Sequence, residues 1–550
     1  MDNWLSNKKS KLNIYSDDRL NMKQPVLWCF FVALLTITLC SRSSFLYAFN
    51  LWDDANSYFT MGRSMFRGMV PYRDLFDQKG YILYAIYGVA SLISPTTFIG
   101  VYVFEVLAAF VALLSIFLIL NLYLGKGYLP YIGTALSSAV IYSSLCFWWG
   151  GSAEEFLFPC ICLGMYLSLR YFREGYPEAM SYGTVLFGGF LAGVVFHIKF
   201  NSLGFFFAWM MMVFFADLIG AKAVAKAFIS CFVFLFGMVI ATVPGIIYFG
   251  VNGSIGSWAY VYLYKNIFEY SKSLSLLERF AAIYDIMTDH MYSNPICYLL
   301  IFVGAVYFTV ALFSKFIKEN KFNQIKRNSF LIEVSVFEYL NIVALLTFLI
   351  LVIFAGGVTL MYYPFPINAF AVFGLVAVGK LMKGLYRLMG WARGKRESQM
   401  LFSPTGPKTV LVLLTALAIS VAIILGCSVN VRTMSVKKKD LWLFKFRDYI
   451  ASQGVNNPKL LNMYGFDTGL YTVTNADPVC YYYQTQTLNM DEVLEVQYGF
   501  IREGKVDFVV SCEQLDPADV EGYELVLHDN IDIYRFSKEY YLYERVDLVK

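Results

Sequence analysis

Long apolar runs separated by short polar segments dominate the chain. About eleven of these runs reach the roughly 20 residues that a membrane-spanning helix needs. A further run, Tyr81–Ile93, is shorter, and we expect it to form a helix that lies in the membrane interface or dips partway into the bilayer. The predicted spans lie near residues 25–47, 98–124, 128–147, 155–173, 182–198, 201–219, 227–250, 295–314, 338–356, 361–380 and 408–428.

The composition agrees with a chain that resides in a lipid bilayer. Hydrophobic residues make up 58% of the 550 residues and charged residues only 15%, and the mean hydropathy is +0.55. Soluble proteins carry roughly a quarter charged residues. The net charge of +4 is too small to argue for a nucleic-acid partner, and no basic patch interleaved with aromatic residues supports one. The pattern predicts an all-α polytopic membrane bundle.

The distribution of lysine and arginine predicts how the bundle is oriented in the cell membrane. With the N-terminus in the cytoplasm, the inner segments carry about 22 of these residues and the outer loops up to the last span about nine. Residues 1–24 are polar, and the run that follows lacks a small-residue cleavage site, which is typical of a signal anchor. We expect residues 1–24 to be cytoplasmic, residues 25–429 to form the membrane domain, and residues 430–550 to be extracytoplasmic.

Residues 430–550 are long enough to form a small domain of their own. The pattern predicts an α/β domain, in which Cys480 and Cys512 either pair in an oxidising compartment or remain thiols. No catalytic constellation is visible in this segment. The predicted elements are a helix at Asp440–Ser452, strands at Lys459–Tyr464 and Asp507–Cys512, a helix at Asp491–Arg502, and a hairpin of Glu524–Leu527 and Ile531–Phe536 around Asp529–Asn530.

The first outer loop, residues 48–97, holds the candidate chemistry. Asp53 and Asp54 directly follow the first span, and several cations come later in the loop. A carboxylate at the membrane surface can act as a general base, and cations there can hold a phosphate. The alternative is structural, with Asp53 or Asp54 capping a short helix that ends near Gly68. The sequence leaves both interpretations open.

Charged residues also stand at the mouths of later spans. Glu154 and Glu155 precede the fourth span, where a helix cap explains one carboxylate but two adjacent ones are costly unless something uses them. Lys199 lies in the short turn after the fifth span, where it either holds a phosphate or snorkels to the interface. The segment Met361–Asn368 opens the tenth span with two prolines, which favours either a cavity lining or an aromatic belt.

Little in the sequence supports a metal centre. Only three histidines are present, which argues against a histidine-built site. The acids of residues 48–97 could hold a divalent cation loosely. Because nothing else in the sequence indicates a cofactor, none is assigned. The sequence contains no motif of zinc proteases, P-loop enzymes, dinucleotide-binding proteins or serine hydrolases.

Taken together, these residues resemble the C-fold (GT-C) polytopic glycosyltransferases. They are similar in particular to the bacterial branch related to protein O-mannosyltransferases and aminoarabinose transferases (glycosyltransferase families 39 and 83). That family has an acid and an aromatic residue after the first span, then a Pro-Tyr-x-Asp stretch and an acid-x-Lys-Gly-Pro turn. This chain departs from it at Tyr81, where the family has proline, and at Met361, where the family has histidine. The matching positions are Asp54, Tyr58, Gly68, Pro71–Asp74, Asp77–Gly80, Gly151–Glu155 and Lys199–Asn201.

The resemblance implies a glycosyltransferase that moves a sugar from a polyprenyl-phosphate-linked donor to an extracytoplasmic glycan, lipid or protein, with inversion. It implies that Asp54 is the catalytic base. The adjacent Asp53 is the alternative, but the spacing to Tyr58 favours Asp54. The expected ligands of the donor phosphate are Lys79, Lys199 and Arg63, and the expected substrate-orienting residues are Glu154, Glu155, Asp77, Tyr58 and Asn201.

Other classes of membrane protein share the same hydrophobic pattern. A transporter places charges in mid-span and repeats its halves, whereas the ionisable groups here cluster at the outer ends and no repeat is visible. A non-catalytic scaffold would have no need of Asp54, Asp77, Lys79 and Glu155. A polymerase or ligase of the same architecture would also use a lipid-linked sugar.

Overall fold

Helices make up most of the molecule, and a small mixed sheet follows them near the C-terminus. The computed structural model describes residues 22–270, 274–316, 329–392, 407–487, 490, 492–533 and 536–548. Most of the predicted cytoplasmic segment, residues 1–24, lies outside these described residues. The architecture is the predicted helical membrane bundle with a small α/β domain after it.

The membrane helices agree closely with the predicted apolar runs. Nine helices in the described ranges are long and apolar enough to cross a membrane. The runs near 128–147 and 182–198 form shorter helices of 15 residues each, and Tyr81–Ile93 is a 13-residue helix. The helices are α1 (Lys23–Cys40), α2 (Asp53–Phe66), α3 (Tyr81–Ile93), α4 (Ile99–Leu124), α5 (Tyr128–Tyr142), α6 (Ala153–Arg170), α7 (Tyr182–Phe196), α8 (Leu203–Phe215), α9 (Val224–Val251), α10 (Ile255–Trp258), α11 (Leu276–Ser293), α12 (Pro295–Phe313), α13 (Val336–Ile353), α14 (Ala371–Ala392) and α15 (Pro407–Cys427).

Two predicted spans differ from the structure at their outer ends. The first was expected to reach residue 47, but α1 ends at Cys40. The Ser41 hydroxyl accepts the N–H of Ser43 at 3.0 Å, and the Ser44 hydroxyl donates to the carbonyl of Thr38 at 2.7 Å. Such local bonds compete with helical ones. The tenth span was expected to begin at 361, but the prolines, which lack an N–H, give the tight turn Phe365–Phe370 before α14 begins.

The helix α2 begins and ends where its sequence predicts. Asp53 and Asp54 lie in its first turn, where the helix dipole favours negative charge. The helix ends at Phe66, and Gly68 follows with a φ of 99°, which glycine adopts without steric cost. The face around Gly62 packs so closely on α3 that an added Cβ would lie 2.4 Å from the carbonyl oxygen of Tyr84. The first outer loop is therefore an ordered pair of helices.

The C-terminal domain contains a four-stranded sheet with the order β1-β2-β4-β3. The first two strands are parallel, and the other two pairs are antiparallel. The predicted helices and first two strands are present, and Cys480 and Cys512 are free thiols. The elements are α16 (Trp442–Ser452), β1 (Leu460–Met463), α17 (Leu470–Thr474), α18 (Glu492–Arg502), β2 (Phe508–Ser511), β3 (Tyr523–Ile533) and β4 (Phe536–Arg545).

The predicted hairpin around Asp529–Asn530 is wrong. The strand β3 runs straight through these residues, and Asp529 pairs with Tyr540 of β4. Strand pairing with β4 outweighs the turn preference of Asp-Asn. Asp529 also forms an ion pair with Lys445 of α16 at 2.6 Å. The pairing of β3 with β4 continues to Ile533 and Phe536.

The C-terminal domain packs on α2 through polar contacts that the sequence does not reveal. The Thr60 hydroxyl donates to Asp467 at 2.6 Å, and the Ser57 hydroxyl donates to Gln484 at 2.7 Å. Arg63, only 1% exposed, donates to the backbone carbonyls of Tyr471 and Ala476. Because α2 also packs on α3, it connects the membrane bundle to the C-terminal domain.

Replacement of Arg63 tests this connection. We expect Arg63→Gln to lower the free energy of unfolding by about 2 kcal/mol or more, because buried carbonyls lose charge-assisted hydrogen bonds. Arg67→Gln is the matched control, since Arg67 pairs with Asp477 at an exposed site and such pairs contribute less than about 1 kcal/mol. Thermal unfolding and limited proteolysis of the full chain measure both. Equal stability of the two variants would contradict the proposed connection.

Candidate functional site

Asp54 lies in the first turn of α2 and also contacts the segment that leads into α14. Both Asp53 and Asp54 are half-buried, and Asp53 accepts the N–H of Asp54 at 2.9 Å. The hydroxyl of Tyr362 donates to Oδ2 of Asp54, and the Trp52 ring packs edge-on against the Tyr362 ring with centroids 4.9 Å apart. Asp53 starts the helix, as the structural alternative expects, but the cap position is Trp52 and no side chain makes a cap hydrogen bond there. Neither carboxylate therefore caps α2.

The two adjacent aspartates have different electrostatic surroundings. Burial and the neighbouring Asp54 raise the pKa of Asp53 to about 6, and Lys538 of β4 opposes this rise. Asp53 therefore lies on the side of the C-terminal sheet. Asp54, in contrast, acts on the two lysines, since its charge favours the protonated form of both, although burial lowers the net pKa of Lys199. The structure groups Asp54, and not Asp53, with the cations.

Lys79 lies in a turn whose backbone is held from both sides. Its N–H donates to the hydroxyl of Tyr84 at 2.9 Å, and its carbonyl accepts the hydroxyl of Tyr72 at 2.6 Å. Burial acts to lower the pKa of Lys79, but Asp54 and Asp77 outweigh it, so the net pKa is raised. Within the described residues its Nζ makes no hydrogen bond or ion pair, and it lies 5.7 Å from the centre of the Tyr58 ring. Lys79 is therefore a charged, preorganised cation without a direct counter-ion among the described residues.

Lys199 pairs with Glu154 inside the protein. Its Nζ lies 2.5 Å from Oε1 of Glu154, and the two side chains are 12% and 0% exposed. The same Nζ lies 3.5 Å from the centre of the Tyr363 ring, a cation–π contact. Burial lowers the pKa of Lys199, and Glu154 opposes this. The snorkelling alternative for Lys199 is wrong, because the side chain points into the protein.

The two glutamates at the start of α6 have separate partners. Glu155 donates its N–H to the Ser152 hydroxyl at 2.9 Å and accepts the N–H of Gly151 at 2.8 Å, which closes the first turn of the helix. Glu154 is directed to Lys199 instead, and its other oxygen, Oε2, is buried without a hydrogen bond. Glu155 thus holds the first turn together with the cap residue Ser152, and Glu154 neutralises a buried lysine.

Arg63 does not belong to this cluster. It was expected to bind phosphate, but its guanidinium donates to the carbonyls of Pro95, Tyr471 and Ala476. The reason is position, since Arg63 lies almost three helical turns from Asp53 along α2, under the C-terminal domain. Its role in this structure is to hold that domain.

The remaining expected residues lie around Lys79 and Lys199. Burial raises the pKa of Asp77, and Lys79 opposes this rise. Tyr58 is 1% exposed, and its hydroxyl is buried without a hydrogen bond. Asn201 follows Lys199 and lines a cavity of about 360 Å³ together with both lysines. Other residues lining this cavity are Gln78, Tyr270, Val352, Ile353 and Tyr363.

Two tyrosines at this site were underestimated from the sequence. Tyr362 and Tyr363 are 6% and 4% exposed, so the aromatic-belt interpretation of this segment is wrong for both. The prolines that follow them were the usable signal, because they place an irregular turn at the mouth of a span. Tyr270, whose hydroxyl lies 2.8 Å from that of Tyr363, carried no such signal.

The described residues contain no group of three or more histidine, cysteine, aspartate or glutamate side chains arranged to hold a metal ion. The acids of the first loop instead divide among other partners, with Asp54 accepting from Tyr362 and Asp74 pairing with Arg73. No cofactor is assigned to the site.

No protein-family model matches the chain, and no curated protein matches it in sequence. Similarity appears at the level of structure. ArnT from Cupriavidus metallidurans in the apo state superimposes with a TM-score of 0.59 at 12% identity, over 96% of this chain and 98% of that one. The structure of the same protein bound to undecaprenyl phosphate gives 0.54 at 10% identity, over 96% and 100% of the two chains.

A weaker likeness extends to the oligosaccharyltransferase of Archaeoglobus fulgidus. The TM-score is 0.45 at 11% identity, over 88% of this chain and 67% of that one. At such identities the likeness concerns the fold, and the ArnT superposition extends over nearly the whole length of both chains. The chain therefore has the C-type glycosyltransferase fold that its sequence motifs resemble.

Proposed function

We propose that this protein is a membrane glycosyltransferase that moves a sugar from a polyprenyl-phosphate-linked donor to an extracytoplasmic acceptor, with inversion. The observation that carries the proposal is the grouping of Asp54 with two lysines beside one cavity. Lys79 and Lys199 both line that cavity of about 360 Å³, and the charge of Asp54 acts on both. A base beside paired cations suits the transfer of a sugar from a phosphate leaving group.

The cavity fits the phosphate end of a lipid-linked donor. Lys79 has no counter-ion among the described residues, so an entering phosphate would be its first direct partner. Lys199 is already neutralised by Glu154 and would share its charge with the phosphate. One wall of the cavity is apolar, with Val352, Ile353 and Val358. The similar ArnT structure contains undecaprenyl phosphate, which supports the same class of ligand here.

In the proposed step the acceptor hydroxyl attacks the anomeric carbon of the sugar. The carboxylate of Asp54 takes the hydroxyl proton, and the new bond forms as the bond from the anomeric carbon to the phosphate oxygen breaks. The leaving group is the polyprenyl phosphate, whose charge Lys79 and Lys199 stabilise. A single displacement of this kind inverts the anomeric configuration. The residues proposed to position the lysines and the substrates are Asp77, Tyr58, Glu154, Glu155 and Asn201.

The proposal includes the orientation of the protein in the membrane. With the N-terminus in the cytoplasm, the acids of α2 and the C-terminal domain face the outside, where lipid-linked sugars meet their acceptors. The acceptor is a glycan, a lipid or a protein of the cell envelope. The C-terminal domain packs against residues 57–78 of the first outer loop and is proposed to form one wall of the acceptor path.

Donor turnover tests the proposal directly. Full-length protein in nanodiscs is incubated with a panel of polyprenyl-phosphate sugars and candidate acceptors, and released polyprenyl phosphate is measured. We expect Asp54→Asn to lower the rate at least about 100-fold, the usual range for loss of a general base. Asp477→Asn, which changes an exposed acid paired with Arg67, should keep the parent rate. Parent-like turnover by a folded Asp54→Asn protein would refute the role of Asp54.

A change in Lys79 separates donor binding from chemistry. We expect Lys79→Gln to raise the KM for the donor roughly tenfold, because one charge-assisted contact to the phosphate is lost. The fold should tolerate this change, since Lys79 makes no ion pair within the described residues. Steady-state kinetics against donor concentration measure it. An unchanged KM would place the phosphate elsewhere.

The thermal stability of Asp53 and Asp74 variants tests the different electrostatic surroundings of these two aspartates. Because the pKa of Asp53 is raised to about 6, its ionised form disfavours the fold above that pH, and the penalty disappears as the pH falls toward 4. We expect Asp53→Asn to raise the Tm at pH 8 and to raise it less at pH 5, with the gain gone only below about pH 4. Asp74→Asn should lower the Tm at pH 8, because Arg73 holds the pKa of Asp74 below its usual range and its ionised form therefore stabilises the fold. A gain for Asp53→Asn that is equal at both pH values would contradict this assignment.

A further inference from the structure

A second cavity lies apart from the proposed donor cavity. Its volume is about 390 Å³, and it shares no lining residue with the cavity around Lys79 and Lys199. Its walls come from the segment after α1 (residues 42–50), the start of α4 (residues 96–99) and the C-terminal domain. It therefore forms where the outer end of the membrane bundle meets that domain.

One wall of this cavity includes Arg42, a buried arginine that makes no ion pair with any described residue. Arg42 is 3% exposed, and its Nε donates to Oδ1 of Asn430 at 2.9 Å. Its guanidinium lies flat over the ring of Trp149, 3.6 Å from the centroid. One terminal nitrogen, NH2, has no hydrogen-bond partner, and Arg42 makes no ion pair with any described residue. A buried charge without an ion pair costs several kcal/mol, a cost that a bound anion would offset.

The rest of the lining adds positive charge and no negative charge. Lys438 and Arg447 both line the cavity, and none of the described residues around it is Asp or Glu. Arg447 is partly neutralised by the neighbouring Asp448 at 2.6 Å, but Asp448 does not reach the cavity. The lining also offers small hydroxyls, Ser43, Ser44, Thr96 and Thr97, which suit the remaining oxygens of a phosphate.

The cavity also borders a surface with the character of the membrane interface. Phe45 lines it and is 68% exposed, and the adjacent Leu46 is 37% exposed. Both follow α1 directly at the end of a membrane span. Apolar side chains exposed next to an arginine pocket suit a ligand with a phosphate head that arrives along the bilayer surface.

We propose that this second cavity binds a phosphate group, carried by an anionic lipid or by a free phosphate compound. Arg42 is the principal ligand, because a guanidinium offers two parallel donors to phosphate oxygens. Lys438 and Arg447 complete the charge from the C-terminal domain. The bound group would thereby join the domain to the outer end of the membrane bundle.

The segment of residues 42–50, which follows α1, connects the second cavity to α2. Asn50 lines the cavity, and its Oδ1 accepts the N–H of Trp52 at 3.2 Å. Its Nδ2 donates to the carbonyl of Gly150 at 3.1 Å. Trp52 directly precedes Asp53, so a ligand that orders residues 42–50 also stabilises the approach to α2. The proposal for the cavity stands independently of the reaction proposed for Asp54.

Ligand binding by the full-length protein tests the proposal. Native mass spectrometry and titration calorimetry in detergent would compare dioctanoyl phosphatidylglycerol, dioctanoyl phosphatidylcholine and inorganic phosphate. We expect Arg42→Gln to weaken phosphatidylglycerol binding roughly tenfold, the effect of one charge-assisted contact. Lys438→Glu, at an exposed position on the rim, should weaken it as well and keeps the test valid if Arg42→Gln fails to fold. Lys439→Gln, an exposed neighbour outside the lining, should leave binding at the parent level.

Each outcome decides between specific explanations. Competition by inorganic phosphate would support the site with a free phosphate as its source, whereas binding of phosphatidylglycerol alone would support it with a lipid source. Retention of binding in Lys79→Gln separates this site from the donor cavity. Parent-like binding in both Arg42→Gln and Lys438→Glu would overturn the proposal. An equal loss in Lys439→Gln would also overturn it, since surface charge alone would then explain binding.

Discussion

Charges that have left water must find partners inside the protein, and the outer end of this bundle is organised around that requirement. The pair of Lys199 and Glu154, 2.5 Å apart, joins the start of α6 to the turn between α7 and α8. Tyr363, from the segment before α14, covers the same lysine. Three distant parts of the chain are thus held in one arrangement, because loss of either partner would leave a buried charge. The cavity beside Asp54 depends on this arrangement for its shape.

The first outer loop carries the second constraint. The helix α2 bears Asp54 in its first turn. The C-terminal domain contacts α2 through the hydrogen bond from Thr60 to Asp467 and through those from Arg63 to backbone carbonyls. In the proposed reaction the base must stay within hydrogen-bond reach of its substrate, and the support of α2 would keep Asp54 in place. Arg42 and Lys79, which make no ion pair with any described residue, line two separate cavities. Each is proposed to bind an anion.

Much of the fold follows from periodicity and polarity alone. The apolar runs predict the membrane helices to within a few residues at most ends, because a span needs a minimum apolar length whatever its neighbours are. The errors occur where local chemistry competes with hydropathy, as at Ser41, where hydroxyls end α1 early. The wrong hairpin at Asp529–Asn530 has the opposite cause, since strand pairing with β4 outweighs a local turn preference. Boundaries decided by long-range pairing are invisible in a linear pattern.

By itself the sequence determined a polytopic helical bundle, an α/β domain after it, and a set of acids and cations at outer helix ends. It also singled out Asp54, Lys79, Lys199 and Glu154. Only the tertiary structure decided their partners. It pairs Lys199 with Glu154 and leaves Lys79 without a direct counter-ion among the described residues. It also places Arg63 outside the cluster, against backbone carbonyls of the C-terminal domain. The physical reason is that apolar length is a local property, whereas the pairing of a buried charge depends on which distant segment reaches it in the fold.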